Sequence, residues 1–305
     1  MKIARFRTEA GREAFLAAYA RAMQVLPPAS LCSDVETRFG TVRAYTWHGE
    51  RPCVPVLLLP GQGVGAPMWA DNLPDLLASG RTVLAVDALG DAGMSVQTAP
   101  LRSVADSARW VEEVLDGLGH SRVHSVGHSF GGGTAAHHAV LHPERVASLA
   151  LLEPAFTLRW PPVSTLAWAA LTTLPVPASW REHALAAIGG VQVEDVRAST
   201  PVGDLIVAAT AAVQSALPTP RPLTRAQLAS LRMPTYVAIA SHRSLAGGRR
   251  AAAAAERDLP DGTVEVWPDT THSLPMQVHD ELACRLRAFW DEAERGTTAR
   301  AMLGT

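Results

Sequence analysis

One stretch constrains this chain more than any other: Val123-His124-Ser125-Val126-Gly127-His128-Ser129-Phe130-Gly131-Gly132-Gly133. A short apolar run enters it and the small residues Thr134-Ala135-Ala136 leave it. At its centre is Gly-x-Ser-x-Gly. This pattern predicts a strand that turns sharply into a helix and thrusts the central side chain out at the top of a sheet. The flanking glycines let strand and helix approach where a β-carbon would clash. Ser129 is therefore a candidate nucleophile. An alcohol is a weak nucleophile at neutral pH, so the hypothesis requires a base, an orienting acid and an oxyanion site elsewhere in the chain.

The rest of the sequence alternates in the way such a turn needs. Glu9 to Leu26 carries Phe15, Leu16, Tyr19, Met23 and Leu26 at helical spacing, stopped by Pro27-Pro28. Val35 to Trp47 predicts a hairpin turning near Gly40. Val54 to Leu59 is a continuous apolar run and predicts a buried third strand, ending in Pro60-Gly61-Gln62-Gly63. A helix over Pro67 to Ser79, a fourth strand over Thr82 to Val86 and a helix over Leu101 to Leu118 follow. The strand Val123 to Val126, the helix Phe130 to His142 and a sixth strand Val146 to Leu152 complete the first part. After a gap the rhythm resumes with a strand over Thr235 to Ala240, a helix over Arg249 to Asp258, a strand over Val264 to Trp267 and a helix over Met276 to Glu294. Alternating strands and helices imply a mostly parallel central sheet covered by helices on both faces. The gap, rich in Ala, Leu, Pro and Trp, predicts a helical cap inserted after strand six, since long structureless loops are uncommon in compact domains. The expected division is 1–154 and 232–295 for two parts of one core, 155–231 for the cap, and 296–305 for a loose tail.

Composition narrows the function class. The chain has 305 residues, 48% of them apolar and 18% charged, with a net charge of -2. That balance indicates neither a nucleic-acid surface nor an acidic tail. The three cysteines, Cys32, Cys53 and Cys284, are widely spaced and form neither a disulfide framework nor a zinc pattern. Charged residues interrupt the first twenty positions, which do not resemble a signal peptide, and no apolar run is long enough for a bilayer. A cytoplasmic protein without membrane or nucleic-acid partners is expected, with no oligomeric state assigned.

A late histidine follows the last strand in Trp267-Pro268-Asp269-Thr270-Thr271-His272 and is the candidate general base. His128, beside the serine, is expected to pack under the turn, and His124 to be a satisfied core histidine. His137, His138 and His142 share a helix, but no carboxylate accompanies them at metalloprotease spacing, so neither metal nor cofactor is expected. The oxyanion site needs two backbone N–H groups. The candidates are Phe130, at a helix start where the dipole helps, and Gln62, in the loop after the third strand.

Together these motifs resemble the α/β-hydrolase family over nearly the whole chain. Besides the Ser129 turn, the Gln62 loop and His272, the stretch Asp87-Ala88-Leu89-Gly90-Asp91-Ala92-Gly93-Met94-Ser95 is similar to that of bacterial carboxylesterase-like members. Many relatives have His-Gly where this chain has Pro60-Gly61. The resemblance implies an aspartate after the strand that follows the cap, yet that strand ends Ala240-Ser241-His242-Arg243-Ser244-Leu245, with no carboxylate. Glu153, at the end of the sixth strand, is the first candidate acid, a position that some members use. Asp269 is the alternative, with Glu256 and Asp258 behind it. Asp87 is expected to hold the Gly90–Ser95 loop by backbone hydrogen bonds. The family's dehalogenases and epoxide hydrolases use a carboxylate nucleophile, so the serine excludes them. The resemblance implies a serine hydrolase that cleaves esters of apolar, uncharged small molecules through an acyl-enzyme. Lactonases, C–C bond hydrolases and acyltransferases use the same residues. Trp160, Leu166 and Trp168 of the cap are candidate pocket residues. The missing aspartate motivates one competing class, a non-catalytic ligand-binding protein on the same fold.

Overall fold

The structure is a computed structural model that describes residues 2–174, 176–218 and 220–303. Its strands are Arg5–Phe6 (β1), Leu31–Thr37 (β2), Gly40–Trp47 (β3), Val56–Leu59 (β4), Val83–Val86 (β5), Val96–Gln97 (β6), Val123–His128 (β7), Val146–Leu152 (β8), Val213–Gln214 (β9), Thr235–Ala240 (β10) and Gly262–Trp267 (β11). The helices are Glu9–Met23 (α1), Leu73–Leu77 (α2), Val104–Gly117 (α3), Phe130–Leu141 (α4), Val163–Thr173 (α5), Ala178–Gly189 (α6), Val193–Arg197 (α7), Pro201–Ala212 (α8), Arg225–Ser230 (α9), Gly248–Asp258 (α10), Leu274–Gln277 (α11) and His279–Leu303 (α12).

The main sheet runs β11-β10-β8-β7-β4-β5-β3-β2, with β6 added beside β3. From β5 to β11 along that order neighbours are parallel. The hairpin β2–β3 joins antiparallel at the far edge. Side chains alternate across a strand, so β4 feeds two cores. Val56 and Leu58 enter the one closed by α1 and α12, while Leu57 and Leu59 enter the one closed by α3, α4 and α10. A parallel strand buried on both faces must be apolar throughout, which accounts for the unbroken Val-Leu-Leu-Leu of β4.

Two expected helices are broken, and in one the cause is plain. Over Pro67–Ser79 the chain forms a single 3-10 turn, Ala66–Trp69, before α2. Pro74 has no N–H to continue the first helix, and its ring would meet the carbonyl four residues earlier, so it starts a new one instead. The final helix opens as the short α11, and a break at Val278 separates it from α12. Within the expected tail at 296–305, α12 continues to Leu303, and 304–305 lie outside the described residues. Gly296 costs a helix only about 1 kcal/mol, and the Thr-Thr-Ala-Arg-Ala-Met-Leu that follows contains no proline to stop it.

Between β8 and β10 the chain is helical, from α5 to α8. Its exit is tied back to the N-terminus, where α8 packs along α1 and β9 pairs antiparallel with β1. Among the described residues, no helix is long and apolar enough to cross a membrane.

The helix α12 is pinned to the sheet by a buried cation. Arg81 is fully buried; its guanidinium donates to Glu294 Oε1 and to Asp291 Oδ1, both at 2.6 Å. His124, also fully buried, stacks on Trp290 and hydrogen-bonds Ser148 Oγ through Nδ1 at 2.8 Å.

Candidate active site

The strand β7 and helix α4 meet at Ser129, whose φ of 53° and ψ of -119° form a conformation that side chains rarely adopt. Such a residue costs of order 1–3 kcal/mol and persists only where its surroundings impose it. Here the glycines impose it. A β-carbon on Gly127 would lie 2.4 Å from the Gly131 carbonyl oxygen, and one on Gly131 would lie 2.2 Å from that of Leu59. The turn is then pegged by the Ser129 N–H, which donates to the Leu152 carbonyl at 3.1 Å.

Three side chains from three strand ends converge. Ser129 Oγ stands 3.0 Å from His272 Nε2, and His272 Nδ1 stands 3.1 Å from Glu153 Oε2. The three residues are buried, and Glu153 completely so. A buried carboxylate needs partners to remain charged. Besides His272, Glu153 accepts from the Ala240 N–H and the Ser244 hydroxyl on Oε1, and from the Leu245 and Ala246 N–H groups on Oε2. Every donor but the imidazole lies in the segment 240–246, where the family resemblance implied an aspartate. That loop carries no carboxylate and instead surrounds one reaching over from β8. Glu153 also has a left-handed backbone, with φ 46°, so the residue is strained in the same way as Ser129. Asp269 does not join this group. Its side chain is 98% exposed and its nearest charged partner is His242, at 3.8 Å.

The oxyanion candidates are Gln62, in the loop after β4, and Phe130, at the start of α4. The N–H groups on either side of Gln62 are taken: Gly61 donates to Met68 Sδ at 3.2 Å and Gly63 to Asp91 Oδ2 at 2.6 Å. Among the described residues, the N–H groups of Gln62 and Phe130 donate to no protein acceptor. Phe130 opens α4, whose dipole adds to the attraction for negative charge.

Asp87, fully buried at the end of β5, accepts from the Met94 N–H and the Tyr19 hydroxyl on Oδ2, and from the Ala66 N–H on Oδ1. Burial raises its pKa. His128 lies under the turn with its Nε2 donating to the His272 carbonyl at 2.9 Å, its ring 4.8 Å from that of His272. His138 Nε2 meets the Glu112 carboxylate at 3.1 Å.

Burial pushes the pKa of His124 down to about 4 and that of His128 down to about 3, so both are neutral at physiological pH. The unfolded chain titrates these groups near 6.5. Between those values it binds protons that the folded protein refuses. The stability they contribute is therefore full above about pH 6.5 and is lost as pH falls. In urea titrations from pH 7.5 to 5, the stability gap between wild type and His124→Phe is expected to narrow, by up to about 1.4 kcal/mol per pH unit. A gap independent of pH would show that His124 carries no such linkage.

A cavity opens beside the oxyanion candidates. Gln62, Asp91 and Phe130 line it together with Trp110 of α3 and with Leu217 and Pro220, which lie beyond β9. Trp160, Leu166 and Trp168 do not line it. They are 56%, 42% and 38% exposed, on or just before α5. From Trp160 to Trp180 the sequence has no charged residue, so α5 is uncharged all round and its charge pattern cannot tell a lining face from an outer one. Trp160 does touch Phe156, which in turn meets Phe130, an aromatic path from the surface to the helix start. Trp110 of α3 and Leu217, Pro218 and Pro220 carried no sequence signal, because they come to the cavity only through tertiary packing.

With this geometry, the comparisons with known proteins agree. Residues 54–189 match the sequence family described as alpha/beta hydrolase fold. Carboxylesterase YbfK of Bacillus subtilis (strain 168) is 32% identical over 141 residues, which is 46% of this chain and 47% of that protein, so the match spans less than half of that relative. The uncharacterized carboxylesterase nap of the same organism is 27% identical over 278 residues, 86% of this chain and 87% of that one. The crystal structure of carboxylesterase CesB (YbfK) from Bacillus subtilis superposes with a TM-score of 0.83 at 24% identity, over 92% of this chain and 98% of that one, a likeness of fold. The chain has the α/β-hydrolase fold, and its residues 54–189 match that family.

Proposed function

We propose that the protein is a serine hydrolase of carboxylic esters, and that Ser129, His272 and Glu153 are its catalytic residues. One observation carries this reading: the unbroken hydrogen-bond chain from Ser129 Oγ through the His272 ring to Glu153, at 3.0 and 3.1 Å. In the forward step His272 Nε2 takes the serine proton as Oγ attacks the ester carbonyl, then returns it to the leaving alcohol. Glu153 stabilises the imidazolium and keeps the neutral ring in the tautomer with hydrogen on Nδ1. The N–H groups of Gln62 and Phe130 receive the oxyanion, each worth about 3 kcal/mol of barrier. Water, activated by the same imidazole, then releases the acid. The uncharged stretch from Trp160 to Trp180 and the aromatic path through Phe156 to Phe130 favour uncharged substrates with an apolar acyl group. Carboxylesterases among the relatives support the ester as the substrate class. The inserted helices α5 to α8 act as a cap over the site.

A fluorophosphonate probe tests the reading directly. Wild-type protein is expected to take one adduct, read by intact mass, with the label on the Ser129 peptide. Protein that takes no adduct, or is labelled elsewhere, sinks the hydrolase assignment and favours a binding role.

A further inference from the structure

The loop that presents Gln62 has little to hold it. Gln62 is exposed, Gly63 has a φ of 86°, and a β-carbon built on Gly63 would have nothing within 4 Å. Among the described residues, its side anchors are two. One is the Gly61 N–H bond to the Met68 sulfur, a weak acceptor. The other is the 2.6 Å bond from the Gly63 N–H to Asp91. A charged acceptor makes a hydrogen bond roughly twice as strong as a neutral one, so Asp91 is the main anchor.

Asp91 is tied at its other oxygen to a different part of the chain. Oδ1 accepts from the Ser215 hydroxyl at 2.5 Å, and the neighbouring Gly90 carbonyl accepts from the Ala216 N–H at 2.8 Å. Ser215 and Ala216 directly follow β9, where the inserted segment returns to the core. Asp91 is 6% exposed and lines the cavity that Gln62 and Phe130 also line.

We infer that Asp91 is a positioning residue for the reaction: it fixes the Gln62 N–H through Gly63 and couples that donor to the returning end of the inserted segment through Ser215. This rests on the hydrolase reading above. A group acting this way contributes where charge develops on the carbonyl oxygen, and hardly at all to ground-state binding. It therefore acts on kcat and leaves KM alone.

Burial raises the Asp91 pKa, and the Ser215 hydroxyl and the Gly63 N–H oppose that rise because they bond the carboxylate form. The same atoms make a graded set of variants. Asp91→Ala removes both bonds. Asp91→Asn retains both geometrically, with the amide oxygen accepting from Gly63 and the amide nitrogen donating to Ser215 Oγ, but without the charge. Ser215→Ala leaves the Gly63 anchor in place.

The test is kcat and KM for a p-nitrophenyl ester, normalised to the sites titrated by the fluorophosphonate probe. Asp91→Ala is expected to lower kcat per labelled site by about 30- to 100-fold with KM within about twofold. Asp91→Asn should recover most of the loss, remaining about 3- to 10-fold down, and Ser215→Ala should fall less than about threefold. Equal kcat per labelled site in wild type and Asp91→Ala, with only the melting temperature or the labelled fraction reduced, would make Asp91 merely structural and overturn the inference. If Asp91→Ala does not fold, Asp91→Asn decides, and kcat per labelled site equal to wild type overturns it. Failure of wild type itself to label or turn over condemns the hydrolase reading instead, so the two failures are distinct.

Discussion

Ser129→Ala is expected to lower ester turnover by about a million-fold, and Glu153→Gln by about ten-thousand-fold, while both variants stay folded. The larger loss follows because alanine leaves no nucleophile, and only the oxyanion donors and binding remain to help a water. The Glu153 variant keeps the serine and the shape of the site but changes the proton pattern. Oε1 of the native carboxylate is approached by the Ala240 N–H and the Ser244 hydroxyl, and Oε2 by the Leu245 N–H and His272 Nδ1. A glutamine can match the first set with its oxygen. Its NH2 group would then face the Leu245 N–H, a clash of donors, and would donate to His272 Nδ1. That drives the imidazole into the tautomer with hydrogen on Nε2, which cannot take the serine proton. Initial rates with p-nitrophenyl butyrate at matched labelled-site concentration check both variants. Turnover by Glu153→Gln within about tenfold of wild type would mean that Glu153 does not orient the base.

Much of the site was legible because its constraints are local. The Ser129 turn needs glycines at 127 and 131 for a reason that a sequence can display: backbone approaches backbone there. His272 was legible by position, in a loop after the last strand. Glu153 required reasoning about what was missing, since 240–246 holds no carboxylate and something had to stand opposite the imidazole. What hides from the sequence is the reversal of roles between those segments. The loop that lacks the acid supplies its hydrogen bonds, and backbone N–H groups have no sequence signature.

Other parts were not legible because they are decided by packing across the chain. Pro74 is visible, but the split of the expected helix into a 3-10 turn and α2 also involves Asn72, whose side chain donates to the Pro275 carbonyl over a separation of 203 residues. The exposure of Trp160, Leu166 and Trp168 could not be foreseen from an uncharged helix. Nor could the role of α3 and of Leu217, Pro218 and Pro220 in lining the cavity. Asp91 shows a third kind of failure. It sits inside a recognisable stretch, but its two partners, Gly63 and Ser215, lie 28 and 124 residues away.

Gly131→Ala is expected to be the most damaging single methyl group that can be added at the turn. Its β-carbon would lie 2.2 Å from the Leu59 carbonyl oxygen and 2.4 Å from that of Pro60, with the Leu59 carbonyl carbon at 2.6 Å. Those neighbours are backbone, held by the β4 ladder on one side and leading into the Gln62 loop on the other. No rotamer change relieves the contact, so α4 or the end of β4 must move. The cost should exceed the roughly 1–3 kcal/mol of ordinary core overpacking. In a domain of this size, about 3 kcal/mol lowers the melting temperature by roughly 5 °C. Any movement that relieves the clash also separates Pro60 from the start of α4, and so separates the Gln62 and Phe130 N–H groups of the proposed oxyanion site. Protein that does fold should therefore have lost turnover beyond what its stability explains. Gly296→Ala is the control of opposite sign. That glycine lies inside α12 with nothing within 4 Å of a β-carbon, and alanine there should stabilise by up to about 1 kcal/mol with turnover unchanged. Thermal melts of the two variants beside wild type measure both effects, and a Gly131→Ala protein that melts with wild type would show that the close approach at the turn is not what shapes Ser129.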